Sequence, residues 1–358
     1  MQNKIKISII VPVFNTAERL SDCLNSIYAQ SFKDYEIILV DDGSTDNSAE
    51  VLREYATKDE RIKTIFKENG GAGSARNAGI AAAVGEYLAF PDSDDSFAPE
   101  MYEEMYSLAK SGGFDLVISG VNYCESSGGK VKHARTSNCG DKRYFSKSEC
   151  EKHVMDFFPT STIFDVPWNK LYKKSVLDKS GVKFSDLRRC QDAAFNLDFY
   201  DAIESVASTD KAYYDYFVND EKKVAKKFPK NYIDINVAYF DKLFYYLKKW
   251  GVYDGEVKTH YDTTFAITIY ETAGMCYMPQ WKLSKKEKKE YVKNIFDRKE
   301  ISDFIKDADI REEEKFKAEI ISTRNVKKFF KNMRKERLKN FFKKSRLLTL
   351  IVRKLKRI

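Results

Sequence analysis

Residues 35–46 read Tyr-Glu-Ile-Ile-Leu-Val-Asp-Asp-Gly-Ser-Thr-Asp, an apolar run that ends in acidic, glycine and hydroxyl residues. The apolar run predicts a buried strand, and the polar cluster after it predicts a tight turn into a helix. A helix cap accounts for only one of the two adjacent acids, Asp41 and Asp42, and leaves the other unexplained. A carboxylate at a strand end can also accept a hydrogen bond from the imide of a uracil or from ribose hydroxyls.

Strand-like and helical segments alternate on both sides of this stretch, over the first 120 residues. In chain order they are Ile5–Val11, Glu18–Ala29, Tyr35–Val40, Ala49–Lys58, Ile62–Phe66, Ser74–Ala83, Tyr87–Phe90, Pro99–Lys110 and Asp115–Ser119. This order predicts an α/β fold, a mostly parallel sheet flanked by helices, with ligands bound at the carboxyl ends of the strands. Residues 121–165 show no regular pattern, and residues 166–217 mix helical and strand-like segments. The pattern is helical from about Asn231 onward.

The composition indicates a folded protein of the cytoplasm. Of the 358 residues 43% are hydrophobic, with only 7 Pro and 16 Gly, which excludes disordered and low-complexity classes. The 6 cysteines are scattered without a CxxC pair, and we interpret them as reduced thiols. No apolar run approaches the roughly 18–20 residues of a membrane span, and the first residues lack a signal-peptide cleavage pattern.

The net charge of +8 is concentrated in the last 35 residues. From Arg324 to Ile358 there are 15 Lys or Arg and one acid, Glu336, so residues 1–323 are net acidic. The tail's apolar residues recur largely every three or four positions, which predicts an amphipathic helix on a membrane surface. They are Val326, Phe330, Met333, Phe341, Phe342, Leu348, Ile351, Val352 and Leu355. The alternative is a helix packed on the protein's own body or on a partner subunit.

Residues 90–96, Phe-Pro-Asp-Ser-Asp-Asp-Ser, carry three carboxylates within four positions at the end of a predicted strand. Such crowding costs Coulomb energy unless a cation occupies the site, so we interpret the cluster as a metal site. Oxygen ligands favour Mg²⁺ or Mn²⁺. The alternative explanation is helix capping before Pro99, which accounts for only one of the three acids.

Residues 69–79, Asn-Gly-Gly-Ala-Gly-Ser-Ala-Arg-Asn-Ala-Gly, form a glycine-rich loop. Its glycines let the backbone approach a ligand, and Arg76 can pair with a phosphate or with the acids. A dinucleotide fingerprint is excluded because Arg76 stands where the third glycine belongs and the loop follows the third strand. There is no P-loop, and the three histidines show no metal-binding spacing.

Four ordered motifs, residues 8–15, 40–46, 69–77 and 92–95, together resemble the family 2 inverting glycosyltransferases of the GT-A fold. The resemblance is close over residues 5–120 and looser over 160–217. It implies a Rossmann-like GT-A catalytic domain over 1–220, with a nucleotide-sugar half (1–120) and an acceptor half (121–220). A helical region (221–323) and the basic amphipathic tail (324–358) follow.

The resemblance implies donor-binding roles for residues of these motifs. They are Pro12 and Phe14 beside the nucleobase, Asn15, Asp42 at the uracil, Asn69 and Arg76 near the diphosphate, and Asp92 and Ser93 facing ribose and sugar. Asp94 would coordinate the Mn²⁺ or Mg²⁺ that bridges the diphosphate.

Two further segments extend the resemblance into the acceptor half. Residues 167–172, Pro-Trp-Asn-Lys-Leu-Tyr, are similar to a segment frequent in bacterial surface-polysaccharide members, which implies acceptor or support roles for Trp168, Asn169 and Lys170. At 190–195 the family usually has Glu-Asp, whose Asp is the catalytic base. Here Gln191 replaces the Glu as a support residue, and Asp192 keeps the catalytic role.

Residues 219–223, Asn-Asp-Glu-Lys-Lys, depart from the family pattern. Many relatives have a histidine or arginine there that helps to hold metal or diphosphate. Lys222 or Lys223 would compensate the phosphate charge instead, or the loop has no such role.

We therefore expect a metal-dependent inverting glycosyltransferase of the hexosyltransferase class. It would move a hexose or N-acetylhexosamine from a UDP-sugar to a hydroxyl of a bacterial surface glycan, such as a capsule, carried on a polyprenyl lipid. The expected location is the inner face of the plasma membrane, reached through the tail, with the oligomeric state left open. One alternative is a nucleotidyltransferase, but this sequence lacks the glycine-rich first-strand signature with a basic residue that such enzymes usually show. The other is a non-catalytic basic or nucleic-acid-binding protein, against which the net acidic residues 1–323 argue.

Overall fold

The computed structural model describes residues 5–127, 130–158, 161–217 and 228–336. The chain divides into two compact units. The first comprises residues 1–220 and 238–252, and the second comprises 221–237 and 253–358. Residues 238–252, placed by sequence in the helical region, thus belong to the first unit. Lys222 and Lys223 lie outside the described residues.

The first unit is built on one sheet, which confirms the predicted α/β fold. Its described strands are β1 (Ile7–Val13), β2 (Tyr35–Asp41), β3 (Ile62–Phe66), β4 (Tyr87–Ala89), β5 (Ser96–Phe97), β6 (Leu116–Ser127), β7 (Lys130–Ser137), β8 (Lys142–Tyr144), β9 (Lys170–Lys173) and β10 (Val206–Phe217). The order is β3-β2-β1-β4-β9-β6-β10-β5, with β7 beside β6 and β8 beside β10.

The first four strands are parallel, and so are β6 and β10. The intervening β9 is antiparallel to both of its neighbours, β4 and β6. All seven residues of β1 and all seven of β2 are buried. Strands covered on both faces need nearly continuous apolar sequence, which is why these two runs lack the alternation of a half-exposed strand.

Helices connect these strands. They are α1 (Ala17–Tyr28), α2 (Ser48–Lys58), α3 (Ala72–Ala82), α4 (Met101–Gly112), α5 (Lys147–Lys152), α6 (Ser161–Asp165), α7 (Lys174–Ser180) and α8 (Gln191–Ala202). Residues 121–165, which look irregular in sequence, contain most of the antiparallel pair β6–β7 and the short helices α5 and α6. The polar Ser, Lys and Gly content of that segment hides the pair, because His133, Arg135 and Thr136 of β7 are exposed and need no apolar face.

C-terminal to residue 230 the described chain is helical, as predicted. The helices are α9 (Tyr232–Lys249), α10 (Gly255–Gly274), α11 (Lys285–Phe296), α12 (Lys299–Asp307) and α13 (Lys315–Ser322), and residues 326–336 are also helical. A capping box starts α11, in which the Ser284 hydroxyl accepts from the Glu287 N–H and the Glu287 carboxylate accepts from the Ser284 N–H. Within the described ranges, no helix is both long and apolar enough to cross a bilayer.

The helical stretch 326–336, where the predicted tail begins, packs within the second unit. Phe329 is buried, with its ring 5.0 Å from that of Tyr270 and 5.5 Å from that of Phe296. Phe330 contacts Tyr277 at 6.1 Å between ring centroids. For these residues the structure supports packing on the chain itself, the alternative to a membrane helix. Residues 337–358 lie outside the described residues.

Candidate active site at the carboxyl edge of the sheet

The loop after β2 is tied to the glycine-rich loop through Asp42. Its buried carboxylate accepts hydrogen bonds from Gly70 N (3.0 Å), Gly71 N (2.7 Å) and Lys67 Nζ (2.7 Å). Asn69 Nδ2 donates to the Asp42 carbonyl at 3.0 Å. Gly71 has φ +89°, which favours glycine. Asp42 and Asn69 therefore hold the glycine-rich loop, and their contacts with a donor remain predictions.

The loop after β1 is joined to the loop after β2 in a similar way. Asn15, with φ +54°, accepts on Oδ1 from Thr45 N at 2.7 Å, and its own N–H donates to the Ser44 hydroxyl at 3.0 Å. Pro12 is buried within β1, whereas the Phe14 side chain just beyond it is exposed (47%). An exposed aromatic ring at a strand end offers a stacking surface for a base, the role that the resemblance implies for Phe14.

Arg76, on α3, joins two acids that are far apart in sequence. Its Nη1 donates to Asp192 Oδ1 at 2.6 Å and its Nη2 to Asp92 Oδ1 at 2.7 Å. The Arg76 side chain is only 2% exposed, against 32% for Asp92 and 35% for Asp192. Burial opposes the charge of the guanidinium, but the two carboxylates outweigh it and raise the pKa of Arg76. Of the two partners that the sequence allowed for Arg76, phosphate or acids, the structure shows the acids.

The three acids after β4 have different surroundings. Asp95 is buried and accepts from the Tyr214 hydroxyl (3.1 Å) and from Phe217 N (3.1 Å), so it fastens the loop to β10. The raised pKa of Asp92, about 6, comes from burial and from the nearby acids Asp94 and Asp192, which outweigh Arg76. Asp92 is thus bonded to Arg76 and lies close to other acids, whereas Asp95 has a structural role.

Carboxylate oxygens at Asp92 and Asp94 suit a hard divalent cation. Among the described residues, no three His, Cys, Asp or Glu side chains are grouped so that they hold a metal by themselves. The donor set therefore fits an ion held by one or two carboxylates, with its remaining ligands supplied by water or by a bound diphosphate. Ser93, between the two acids, has its hydroxyl 3.0 Å from that of Thr16.

Asp192 lies in the first turn of α8, where the helix dipole favours a negative charge. The preceding Cys190 has φ +58° and sets the direction in which the helix begins. A Cβ placed on Gly73, in the first turn of α3, would lie 2.0 Å from Gln191 Oε1. The first turns of α3 and α8 therefore meet at Gly73, and this contact brings Arg76 to Asp192.

Trp168, Asn169 and Lys170 are buried beneath this edge. The Trp168 ring stacks on Tyr214, with 4.2 Å between centroids. Asn169 Nδ2 donates to the Ser119 carbonyl at 2.7 Å, and Lys170 Nζ donates to Asn169 Oδ1 at 2.8 Å. Burial lowers the pKa of Lys170 to about 7. Burial and bonds within the protein favour the support role, one of the two roles implied for these residues, and that role stays a prediction.

Two site residues have no motif in the sequence. Asp165, at the end of α6, has its pKa raised to about 7 by burial, an effect that Lys170 opposes. It lies close to Asp192, because Asn196, one turn along α8, donates to the carbonyl of the adjacent Phe164 at 2.7 Å. Tyr214 contacts the acid loop twice, since its hydroxyl also accepts from Asp92 N at 3.0 Å. Only the position of Tyr214 in an aromatic run before Phe217 could have drawn attention to it.

The parallel β3-β2-β1-β4 order, with acids and a glycine-rich loop at the carboxyl edge, defines a GT-A type α/β protein. The family model described as "Glycosyl transferase family 2" matches residues 8–181. EpsH of Bacillus subtilis, a putative glycosyltransferase, is 30% identical over 286 residues, which cover 78% of each chain. This chain belongs to glycosyl transferase family 2.

Other relatives extend the comparison. The Staphylococcus aureus poly(ribitol-phosphate) beta-N-acetylglucosaminyltransferase TarP is 30% identical, over 71% of this chain and 76% of TarP. The uncharacterized glycosyltransferase EpsJ of Bacillus subtilis is 34% identical over 60% of this chain. That match spans 61% of EpsJ, less than two thirds of its length. The crystal structure of S. aureus TarS 1-349 in complex with UDP-GlcNAc has a TM-score of 0.62 at 18% identity, covering 93% of this chain and 92% of that one, a likeness of fold.

Proposed function

We propose that this family 2 glycosyltransferase moves a hexose or N-acetylhexosamine from a UDP-sugar to a hydroxyl of a bacterial surface glycan, with inversion at the anomeric carbon. The observation that carries the proposal is the bridge through Arg76. It places Asp192, the candidate base, on the same guanidinium as Asp92 of the acid motif, although 116 positions separate Arg76 from Asp192.

The relatives support the choice of donor and acceptor. TarS has been crystallised with UDP and with UDP-GlcNAc, and TarP acts on poly(ribitol-phosphate), as its name states. A uracil-containing donor also agrees with the exposed Phe14 ring at the end of β1. We extend these properties to this chain as a UDP-sugar donor and a surface-glycan acceptor.

The reaction is a single displacement. The acceptor hydroxyl attacks the anomeric carbon, its proton passes to Asp192, and UDP leaves with the electrons of the broken glycosidic bond. Arg76 donates to Oδ1 of Asp192, and Oδ2 has no hydrogen-bond partner among the described residues, so Oδ2 is the oxygen that receives the proton. It must come within about 2.6–3.2 Å of the acceptor oxygen.

Asp94, with Asp92, would hold the divalent cation. When bound, Mn²⁺ or Mg²⁺ supplies positive charge to the departing diphosphate. Because Arg76 is enclosed and already bonded to two acids, its charge acts on the carboxylates and is not itself presented to the phosphates.

We also propose that the acceptor is carried on a polyprenyl lipid and that the tail holds the enzyme at the inner face of the plasma membrane. Residues 326–336 pack within the second unit, so membrane contact would fall to residues 337–358. That segment has nine Lys or Arg and no acid. Each basic residue next to anionic lipid contributes about 1 kcal/mol to the free energy of membrane binding.

The deciding experiment measures UDP release from a panel of UDP-sugars, with Mn²⁺ or Mg²⁺ and a lipid-linked or polymeric acceptor. We expect Asp192→Asn to lower transfer by about 10²–10⁴-fold, the usual contribution of a general base, while UDP binding persists. Asp198→Asn, further along α8, is the matched control, since Asp198 bonds to Lys242 and Tyr246. An Asp192→Asn enzyme with more than about a tenth of wild-type turnover would assign the base elsewhere.

A further inference from the structure

The second unit has a basic groove between α11 and the helical stretch 326–336. Its volume is about 1210 Å³. Nine cationic side chains, seven Lys and two Arg, line the groove together with only two acids, Glu290 and Asp297. None of these residues takes part in the candidate active site.

Most of the cations in this groove have no side-chain partner among the described residues. Lys293 pairs with Asp297 at 3.2 Å, and Lys288 lies over the Tyr277 ring at 4.9 Å from its centroid. Six others make no side-chain hydrogen bond or ion pair with any described residue: Lys285, Lys286, Lys289, Lys327, Lys331 and Arg334. Elsewhere the described part of this chain commonly pairs its lysines, as with Lys242 and Asp198. Unpaired like charges gathered in a concavity repel one another, and an external polyanion relieves that repulsion.

The cations form two rows, one on each helix. Lys285 and Lys289 are one turn apart on α11, and Lys327 and Lys331 are one turn apart on the facing stretch. Residues four apart on a helix are separated by about 6 Å along its axis. Tyr277 and Phe330, with ring centroids 6.1 Å apart, contribute apolar surface to the same groove. Two cationic rows that border one groove suit a linear chain with regularly spaced anions better than a flat lipid surface.

We propose that this groove binds a linear polymer with phosphodiester groups. That the polymer is the acceptor glycan rests on the proposed function, whereas the binding itself does not. The groove would hold one part of the acceptor chain independently of the hydroxyl that receives the sugar, and thereby raise the effective concentration of acceptor hydroxyls.

The test uses the full-length protein and sodium polyphosphate as the probe, with affinity measured by calorimetry at low and at moderate salt. The groove variant is Lys289→Glu/Lys331→Glu, one change on each row. The matched control is Lys299→Glu/Lys306→Glu, which makes the same change in net charge on exposed positions of α12. We expect polyphosphate to bind wild type in a salt-dependent manner, at least about tenfold more weakly to the groove variant, and within about twofold of wild type to the control.

Three results would overturn the proposal. The first is equal polyphosphate affinity of the groove variant and wild type, and the second is an equal loss of polyphosphate affinity in the groove variant and the control. The third is that polyphosphate does not bind, while sedimentation with phosphatidylglycerol vesicles depends on Lys289 and Lys331. UDP release from UDP-sugars in the presence of acceptor, the deciding experiment of the proposed function, separates the two proposals. If wild type releases no UDP from any UDP-sugar, the proposed function fails, and polyphosphate binding still decides the role of the groove.

Discussion

Replacing Arg76 by methionine tests whether this arginine serves the two acids or the donor. Methionine keeps most of the side-chain volume but removes the charge and both hydrogen bonds. Removing one partner of a fully buried ion pair lowers the free energy of unfolding by about 3–5 kcal/mol. Because Asp92 and Asp192 keep 32% and 35% of their side chains exposed, water recovers part of that loss. We expect the free energy of unfolding to fall by about 1–3 kcal/mol.

The same replacement changes the pH dependence of activity. Burial and nearby acids raise the pKa of Asp92 to about 6, although Arg76 lowers it, so the charged carboxylate that the proposed cation and donor binding requires is lost as the pH falls through about 6. Without Arg76 this pKa rises further. The acidic limb of kcat/KM therefore moves to higher pH in Arg76→Met, and a shift of one pKa unit corresponds to about 1.4 kcal/mol.

Three measurements separate the two roles of Arg76. Urea unfolding gives the stability, UDP release between pH 5 and 9 gives the pH profile, and calorimetry with UDP gives donor affinity. If Arg76 orients the base, kcat falls by about 10²-fold and UDP affinity changes by less than about threefold. Arg53→Met, at an exposed arginine that pairs with Glu50, is the control. An unchanged pH profile together with a tenfold or greater loss of UDP affinity would refute the bridge and make Arg76 a diphosphate ligand.

Three further predictions concern the metal, the helix contact and the tail. EDTA should abolish transfer, Mn²⁺ or Mg²⁺ should restore it, and Asp94→Ala should not be rescued; full turnover in chelator would contradict the metal assignment. Gly73→Ala should destabilise the fold by about 1–3 kcal/mol in thermal unfolding, because the new Cβ meets Gln191 Oε1 at 2.0 Å and the Ser185 carbonyl at 3.0 Å. Adding Gln191→Ala should recover the part of that loss that comes from the Gln191 side chain. Additive effects of the two changes would disprove the contact. Deletion of residues 337–358 should release the protein from phosphatidylglycerol vesicles while UDP release from UDP-sugar persists; equal sedimentation of both proteins would assign the tail another purpose.

Local sequence was sufficient to predict the strands and helices in the first half of the sheet, because these elements depend mainly on neighbouring residues. The run before Asp41 and Asp42 is apolar on both faces, and each strand ends in residues that favour turns. The sequence also predicted correctly that the acid and glycine motifs lie at one edge of the sheet, because parallel strands end on the same side of a sheet.

The partners of these motifs depend on contacts between distant residues, which no local pattern encodes. Asp95 looks identical to Asp92 and Asp94 in sequence, yet Tyr214 and Phe217 on β10 turn it inward. The proximity of Asp165 to Asp192 follows from the packing of α6 on α8. Trp168 and its two neighbours lie beneath the site because β9 runs antiparallel between β4 and β6, a reversal that the alternating pattern does not reveal.

The hydrogen bonds of Asp42 to the glycine-rich loop also bear on the kinetics of donor binding. A loop whose N–H groups are already held needs little further ordering when a ligand arrives, so binding loses little conformational entropy. Association should then follow a single concentration-dependent phase without a slow rearrangement, and differences in affinity among nucleotide sugars should arise mainly from how fast each one leaves.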